Sequence, residues 1–554
     1  MEQPRSLSKY LIMNDLEKRP EVVQQQVQES RGGWLQRKIN TFKPATKTDG
    51  AAPLKHQLGS FQMQMISLGG SIGTGLFLGS AQSLKDGGAG GVLICYSVIS
   101  IMVFCMVHSL AELACNFPVP GAFSYYATTF IDPSWGFAIS WNYVMQWLVL
   151  LPLELSAASI TFKFWDGFPI GDGYLITAFF LMMILINMLP VKIYGFAEVV
   201  FSVTKIIAIL GFLVTGLVIL FGGVPNHDAI LGRYWHDPGP FTPSGFKGIV
   251  AVFVTAAFSF SGTELCGLCA AETPNPVKSI PKASKQVFWR ILFFYISSLT
   301  LVGFLVPYNE PRLMGRDESG ANSSPFVIAI RNAGIPVLPS IMNVAILISI
   351  LSVGNSAIYA TSRTLVSLAQ AGMAPKSFGY IDQGGRPMVA ILVTLAFGCL
   401  SYLSLVGNGA QILFSWLLSL SGLSSLLTWC SIGLSLIRFR AGIAAQGQTT
   451  KDLNYVSTTG LGGAWICFGF GVVVLVAQLW IAVMPVQGTS SAEKFFKVYL
   501  GAFVVAIFFA AHKGYVYWQT GRVQFGINPA HMDVFSGRLE MEQQALAAKK
   551  WYKW

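Results

Sequence analysis

The chain has 554 residues, of which 53% are hydrophobic and only 11% are Asp, Glu, Lys or Arg. Soluble globular domains carry more than twice this charged fraction, so the composition excludes an ordinary soluble protein and indicates a membrane protein with many spans. The formal net charge is +11, but the basic residues lie in the termini and in some loops rather than along one face. We therefore expect no nucleic-acid partner.

Apolar runs of about 20 residues, the length that crosses a bilayer as a helix, predict an all-α polytopic fold with 12 transmembrane helices. We place these spans at residues 61–83, 90–113, 135–162, 174–192, 196–221, 247–272, 287–307, 337–370, 388–405, 410–437, 464–484 and 495–518. The predicted organisation is an N-terminal tail over residues 1–60, a core of helices 1–10 over 61–437, helices 11 and 12 over 464–518, and a C-terminal tail over 519–554.

The distribution of basic residues predicts the orientation of the spans. Lys and Arg dominate the N-terminal tail and the loops after spans 6, 8 and 10, whereas the loops after spans 5 and 7 mix acidic and basic residues. Because cytoplasmic loops carry the excess of Lys and Arg, both termini are expected to be cytoplasmic. A glycosylation sequon at Asn322 would then lie outside, with Pro325 close behind it.

The sequence GGSIGTGLFLG, from Gly69 to Gly79 in span 1, is unfavourable for a helix. Each of its five glycines costs about 1 kcal/mol relative to Ala in a helix interior. In hydrocarbon, unwound backbone is tolerated only where it is buried in protein or lines a cavity. The segment therefore indicates either a binding site or a close helix contact through small residues.

A second interruption follows five spans later. Residues 257–264 of span 6 read AFSFSGTE, where small and polar residues break the apolar pattern. Interruptions at corresponding positions of two halves are typical of transporters built from an inverted repeat, with the substrate site between the repeats. We predict that spans 1–5 and 6–10 form the repeats and that helices 1 and 6 are broken.

Several segments resemble the fungal amino-acid permeases of the amino acid-polyamine-organocation superfamily. They are GGSIGTGLF in span 1, FSFSGTEL in span 6, PKASKQVFWR before span 7 and LSVGNSAIYATSR in span 8. NYVMQWLVLLPLELSAASITFKFW in span 3 and SLSGLSSLLTW in span 10 are most similar to the general amino-acid permease branch. The resemblance implies a LeuT-like five-plus-five fold, proton-coupled import of amino acids with broad specificity, and residence in the plasma membrane.

The two interruptions predict the two halves of a site for an L-amino acid. Free N–H groups at the start of a half-helix suit its carboxylate, and free carbonyl groups suit its ammonium. By resemblance, Phe258 closes over the substrate as an aromatic gate, while Asn355 and Ser421 either contact the substrate or bond across helices. The predicted substrate-binding residues are Ser71, Ile72, Gly73, Thr74, Gly75, Phe258, Ser259, Ser261, Asn355 and Ser421.

Ionisable residues inside spans are the candidates for proton coupling, because each costs about 2.5–3.5 kcal/mol at mid-bilayer unless it is paired or hydrated. Lys205 lies too deep in span 5 to reach water easily, and the resemblance places it near the ion site of sodium-coupled relatives. A structural tether between helices is the alternative role. Glu264 and Glu154 are the further coupling candidates. Glu112, at the end of span 2, is either a third candidate or a residue explained by capping or solvation. We interpret the neighbourhood of Gln146 as packing.

Protons are the only expected coupling ion, and no metal or organic cofactor is predicted. No catalytic triad, metal-spaced His and Cys cluster or phosphate loop is found in the sequence, so we do not expect an enzyme. Cys266 and Cys269 form a CxxC pair without a second cluster, which we interpret as packing. An exchanger or a sodium symporter on the same fold, and a nutrient sensor with little transport, remain the alternative functions.

The tails suggest partners beyond the substrate and the lipid membrane. The N-terminal lysines resemble ubiquitin-acceptor regions of permeases, which makes ubiquitin-ligase adaptors candidate partners. These residues are Lys9, Lys18, Lys43 and Lys47. The region from Arg538 onward predicts a short amphipathic helix.

Overall fold

The computed structural model describes residues 60–119, 121–165, 170–225, 228–268, 276–313, 324–406, 409–486, 490–523 and 525–535. All regular secondary structure in these ranges is helical. Several residues of interest to the sequence predictions lie outside the described ranges, namely Lys9, Lys18, Lys43, Lys47, Cys269, Asn322 and the region from Arg538.

The described residues of the first half of the chain form nine α-helices, which we number in chain order. They are α1 (Ser60–Ser71), α2 (Ser80–Asn116), α3 (Phe123–Tyr126), α4 (Pro133–Phe162), α5 (Asp172–Asn187), α6 (Val191–Leu220), α7 (Arg233–His236), α8 (Gly245–Phe260) and α9 (Leu265–Leu268). Two π-helical segments accompany them, Gly75–Gly79 and Ala127–Ile131.

The second half continues with α10 (Pro276–Arg290), α11 (Ser297–Leu305), α12 (Pro325–Asn332), α13 (Leu338–Gln370), α14 (Met388–Gly398), α15 (Gly409–Ala445), α16 (Gly460–Val483) and α17 (Ala492–Thr520). A π-helical segment, Ile291–Ile296, joins α10 to α11. Short 3-10 helices occur at Lys376–Gly379, Cys399–Leu405, Thr450–Asp452 and Pro529–His531.

Ten helical stretches of the described chain are long and apolar enough to cross a membrane. The first of them, Phe61–Asn116, has 56 residues, more than twice the length that one crossing needs. It is bent within α2 at Gly88, whose φ of 73° is not helical. The shorter apolar helix α5 has 16 residues. These features confirm the prediction of an all-α polytopic membrane protein.

The exposure of the long helices separates an inner group from an outer one. The most apolar 18-residue stretch of α4 is 89% buried, and that of α8 is 83% buried. The corresponding stretch of α17 is only 11% buried although it is at least as apolar as the other two. An apolar helix face without protein cover is stable only in lipid, so α17 lies at the periphery while α4 and α8 form the centre.

Buried ion pairs fix the ends of several helices. Glu112, at the end of α2, forms an ion pair with Arg440 in which Oε1 and Nε lie 2.7 Å apart, and its carboxylate accepts a hydrogen bond from the amide of Ser457 at 2.8 Å. Its side chain has 0% exposure, so solvation does not explain this carboxylate, and it serves instead to join α2 to α15 and the following loop.

The chain after α17 packs against the same end of the molecule. Asp132, which caps α4, accepts hydrogen bonds from Lys513 Nζ at 2.6 Å and from the Gly526 amide at 2.9 Å. Met532 and Val534 are buried. Burial would raise the pKa of Asp132, but the hydrogen bonds from Lys513 and the backbone amides outweigh it and hold the pKa below its ordinary value. The segment 525–535 is therefore bound to the core, with Asp132 as its anchor.

Candidate functional site

The first interruption is shorter than the glycine pattern predicts. Helix α1 ends at Ser71, only Ile72 and Gly73 are non-helical, and the helix resumes at Thr74 and continues into the π-helical segment Gly75–Gly79. The first backbone bond of the resumed helix runs from the Phe77 amide to the Gly73 carbonyl at 3.1 Å. The amides at the start of this half-helix therefore have no partner within it, which favours a negatively charged group there.

The second interruption lies between α8 and α9. Residues Ser261–Glu264 form a turn in which Gly262 adopts φ of 95°, a conformation that residues with a Cβ rarely adopt. The Ser261 amide donates to the Phe258 carbonyl at 3.1 Å. Glu264 folds back on this turn, and its carboxylate accepts from the Gly262 amide at 3.1 Å and from the Trp429 indole at 3.2 Å.

The two interruptions touch backbone to backbone. A Cβ added to Gly75 would lie 2.4 Å from Ser259 Cα, and one added to Gly262 would lie 2.4 Å from the Gly70 carbonyl oxygen. Both distances are far below ordinary van der Waals contact, so the approach requires glycine on each side. The two broken helices thus form one continuous main-chain surface.

A small cavity lies at this junction. It leaves about 10 Å³ for the centre of a water molecule, which is room for about one water and too little for an amino acid. A ligand of that size therefore requires the surrounding helices to move apart. The lining comprises Gly70, Ser71, Gly73, Thr74, Gly75, Leu150, Glu154, Phe258, Ser261 and Val353.

Side chains around the cavity hold its walls in place. The Thr74 hydroxyl donates to Glu154 of α4, and the Gln146 amide donates to the Ser261 hydroxyl at 2.8 Å. The Ser71 hydroxyl donates back to the Ser67 carbonyl at 3.0 Å. Gln146, which the sequence analysis assigned to packing, is therefore a polar contact of the second interruption.

Tyr295 links the two interruptions and was not identified from the sequence. Its buried hydroxyl lies 2.9 Å from the Ser71 carbonyl and 2.9 Å from the Ser259 carbonyl. A phenol has one proton, so it donates to one of these carbonyls at a time. No sequence signal marks this residue, because a tyrosine within the apolar run ILFFYI resembles any other membrane aromatic.

Lys205 fastens the end of α1. Its buried Nζ donates to the Gly69 carbonyl at 2.5 Å. In an uninterrupted helix this carbonyl would accept from the amide of Gly73, which here lies outside the helix. The ammonium thus occupies the position of a helix C-cap, where positive charge is favoured.

Glu198 forms a polar cluster beside Lys205. Its buried carboxylate accepts from Ser352 Oγ at 2.8 Å and from Asn355 Nδ2 at 2.8 Å, while Asn187 donates to Asn355 Oδ1 at 2.5 Å. Glu198 precedes Lys205 by seven residues on α6, a spacing that puts both on one helix face. This spacing of two ionisable residues was a signal that the sequence analysis did not use.

A family model described as amino acid permease matches residues 62–524. The chain belongs to the amino acid permease family. It is 51% identical over 506 residues to the general amino-acid permease GAP2 of Candida albicans, covering 90% of this chain and 85% of the relative. It is 47% identical over 518 residues to the general amino-acid permease GAP1 of Saccharomyces cerevisiae, with 90% and 85% covered.

A third relative carries a narrower name. It is the cationic amino acid transporter 1 of Schizosaccharomyces pombe, 46% identical over 484 residues, with 86% of this chain and 81% of the relative covered. These matches confirm the resemblance seen in the sequence motifs. The chain is an amino-acid transporter of the membrane and not an enzyme.

In this permease the predicted binding residues fall into two groups. Ser71, Gly73, Thr74, Gly75, Phe258 and Ser261 line the cavity together with Glu154. Among the described residues, the remaining predicted positions are buried outside that lining: Ile72, Ser259, Asn355, Ser421, Lys205 and Glu264.

The residues outside the lining have defined partners in most cases. The Ser259 hydroxyl donates to the Thr255 carbonyl at 2.8 Å and lies 2.9 Å from the Tyr96 hydroxyl. Ser421 Oγ is buried with no hydrogen-bond partner in the described part of the permease. Its neighbour Gly422 approaches Phe258, so Ser421 lies one residue from the cavity wall.

Proposed function

We propose that this permease imports amino acids across the plasma membrane together with protons, by alternating access around the junction of its two interrupted helices. The observation that carries the proposal is the backbone contact of Gly75 with Ser259 beside a cavity lined by half-helix amides. An α-amino acid presents a carboxylate and an ammonium, and such a junction supplies a complement for each.

We propose a LeuT-like arrangement of twelve spans. The bend at Gly88 divides the 56-residue stretch into two crossings, and α5 supplies a further one. The interruptions at residues 72–73 and 261–264 then lie five spans apart, which supports repeats of helices 1–5 and 6–10 within residues 61–437. Helices 11 and 12 over residues 464–518 lie outside the repeats. The basic loops favour cytoplasmic tails over residues 1–60 and 519–554.

The proposed substrate contacts follow the chemistry of the lining. The amides of Gly73, Thr74 and Gly75 receive the carboxylate, because a helix start concentrates unpaired N–H donors. Carbonyl groups of the interruptions, including that of Ile72, receive the ammonium. Phe258 closes over the substrate, and its place in the cavity wall supports this role.

We propose Lys205 as the proton carrier, with Glu154 and Glu264 as further coupling groups. A protonated Lys205 holds the end of α1 through the Gly69 carbonyl, and loss of the proton weakens that charge-assisted bond. Protonation is thereby linked to the position of the helix that carries the substrate amides. Glu154 shares the cavity with the substrate and bonds Thr74, so its charge acts directly on the site.

Broad specificity is part of the proposal. The contacts described above engage groups that all α-amino acids share, and two of the relatives are named general amino-acid permeases. The N-terminal lysines as targets of ubiquitin-ligase adaptors also remain a proposal, since they lie outside the described residues.

The test is uptake by purified permease in proteoliposomes under an imposed pH gradient. Accumulation that needs an acidic exterior, and needs neither sodium nor internal substrate, is the expected result. A sodium requirement or an absolute requirement for internal amino acid would establish a rival mechanism on the same fold. Saturable binding without accumulation would identify a sensor.

Lys205→Ala tests the coupling role in the same assay. We expect loss of proton-driven accumulation, with exchange across the membrane measured as the control for a folded site. If the variant concentrates substrate as well as the wild type does, Lys205 is only a tether between α6 and α1.

A further inference from the structure

A second cavity of about 230 Å³ opens between α1, α6 and the α10 region, away from the junction of the interrupted helices. Its polar lining comes from Gln64 and Ser67 of α1 and from Gln286 and Arg290 of α10. The rest of the lining is mostly apolar. The cavity thus combines a cationic end with a hydrocarbon-like wall.

Arg290 has little compensation for its charge. Both terminal nitrogens of its guanidinium lie 3.5 Å from Ser67 Oγ, the outer limit of a hydrogen bond. Among the described residues, no carboxylate approaches the guanidinium within 4.0 Å. A cation that is partly withdrawn from water without an acidic partner favours an anionic ligand, and a guanidinium matches phosphate through two parallel hydrogen bonds.

The outer face of α10 indicates where that anion comes from. Lys278, Lys282, Lys285 and Trp289 are exposed and follow each other at helical spacing along one face. Basic residues ending in an exposed tryptophan are typical of a helix that lies at the membrane interface against anionic lipid. Trp289 is stacked on Phe293, and both also line the cavity.

We propose that this cavity binds an anionic phospholipid of the leaflet that α10 contacts. The phosphate headgroup bonds Arg290 with support from Gln64 and Gln286, and an acyl chain lies along Trp289 and Phe293. A basic pocket between membrane helices, opening to lipid through an apolar side, has the chemistry that recognises such headgroups.

The bound lipid would act on the interrupted helices. Ser67, which faces Arg290, also donates to the Thr263 carbonyl of the second interruption at 3.3 Å. A headgroup at Arg290 therefore braces α1 four residues before its end at Ser71. We expect the lipid to change the rate at which α1 moves rather than the identity of the substrate.

The experiment is native mass spectrometry of the full-length permease, which counts retained phospholipid by class and needs no transport. We expect the wild type to retain anionic phospholipid and Arg290→Gln to retain about tenfold less, the effect of losing one charge-assisted hydrogen bond to a headgroup held in the cavity. The matched control is Lys285→Gln, which removes the same charge from the exposed face of α10, outside the cavity. Equal retention by Arg290→Gln and the wild type would overturn the proposal, as would an equal loss in Lys285→Gln.

A second variant guards against misfolding of Arg290→Gln. Gln286→Glu adds a carboxylate that can pair with Arg290, so the fold is supported while the headgroup is repelled, and we expect a similar loss of lipid. Saturation of the delipidated wild type by soluble glycerophosphoserine, without any effect of vesicles containing phosphatidylserine, would identify a free phosphate ligand and overturn the lipid assignment. Because binding is measured directly, failure of proton-coupled import would leave this result unaffected.

Discussion

Replacement of Gly75 tests the central contact of the proposed mechanism. A Cβ at this position would lie 2.4 Å from Ser259 Cα and 2.9 Å from the Ser259 amide nitrogen. Both neighbours are backbone atoms, so no side-chain rotation can relieve the overlap. Gly75→Ala must therefore push the two interrupted helices apart by about 1 Å to restore ordinary contact.

The expected loss of function is large compared with the loss of stability. Overpacking of this kind costs about 1–3 kcal/mol, which a protein with this many buried contacts can tolerate. A displacement of about 1 Å within a preorganised site lowers its rate about 100-fold. We expect Gly75→Ala to reduce uptake by about that factor and Gly75→Val to abolish it, while both variants remain folded in the membrane.

The assay compares initial uptake per molecule of permease in proteoliposomes, with size-exclusion profiles as the measure of folding. Gly211→Ala is the matched control, because Gly211 is an exposed residue of α6 and a Cβ there has no atom within 4 Å. The control should transport normally and gain up to about 1 kcal/mol of helix stability. If Gly75→Ala transports as well as Gly211→Ala does, the close backbone contact between the two interrupted helices is not needed for transport.

Three further substitutions each test the role of one buried polar residue. Glu198→Gln removes the carboxylate that acts electrostatically on Lys205 while keeping the size of the side chain. We expect the variant to lose pH-driven accumulation, measured as the accumulation ratio, and to retain substrate binding, measured by thermal shift. Normal accumulation would contradict this expectation. Tyr295→Phe removes one buried hydrogen bond worth about 1 kcal/mol, so uptake should fall about fivefold, and an unchanged rate would show that the link is dispensable. Asp132→Asn should release the segment 525–535 at pH 7, seen as faster hydrogen exchange of that peptide. In the wild type the contribution of Asp132 is complete above about pH 4, the ordinary pKa of an Asp, and is lost progressively as the pH falls through the lowered folded pKa, so the segment should be released over that range. A protection factor that does not fall anywhere between pH 7 and about pH 2 would exclude Asp132 as the anchor.

The long apolar helices and the two interruptions could be predicted, because a bilayer constrains both. A crossing requires about 20 apolar residues, and glycines in hydrocarbon require a structural reason. For the same reason Lys205 was conspicuous in an apolar run, and its contact is with the first interrupted helix, at Gly69.

Contacts between distant helices could not be predicted, because no local pattern records them. Tyr295 bonds carbonyls contributed by α1 and α8, and neither acceptor is visible in the side-chain sequence. Asn355 looks the same in the sequence whether it contacts the substrate or bonds across helices. Its hydrogen bond to Glu198 shows that it belongs to the buried polar cluster. The length of the first interruption could not be predicted from the sequence either. Gly75 and Gly79 lie in a π-helical segment, so these two glycines do not interrupt the helix.

The cavity has walls of two kinds, and this division bears on how such a permease acquires a new substrate range. One wall is main chain, kept in contact by glycines that tolerate no larger residue. The other includes three apolar side chains on separate helices, namely Leu150 of α4, Phe258 of α8 and Val353 of α13. Selection for growth on a new amino acid should therefore yield substitutions at these three positions and leave the glycines untouched.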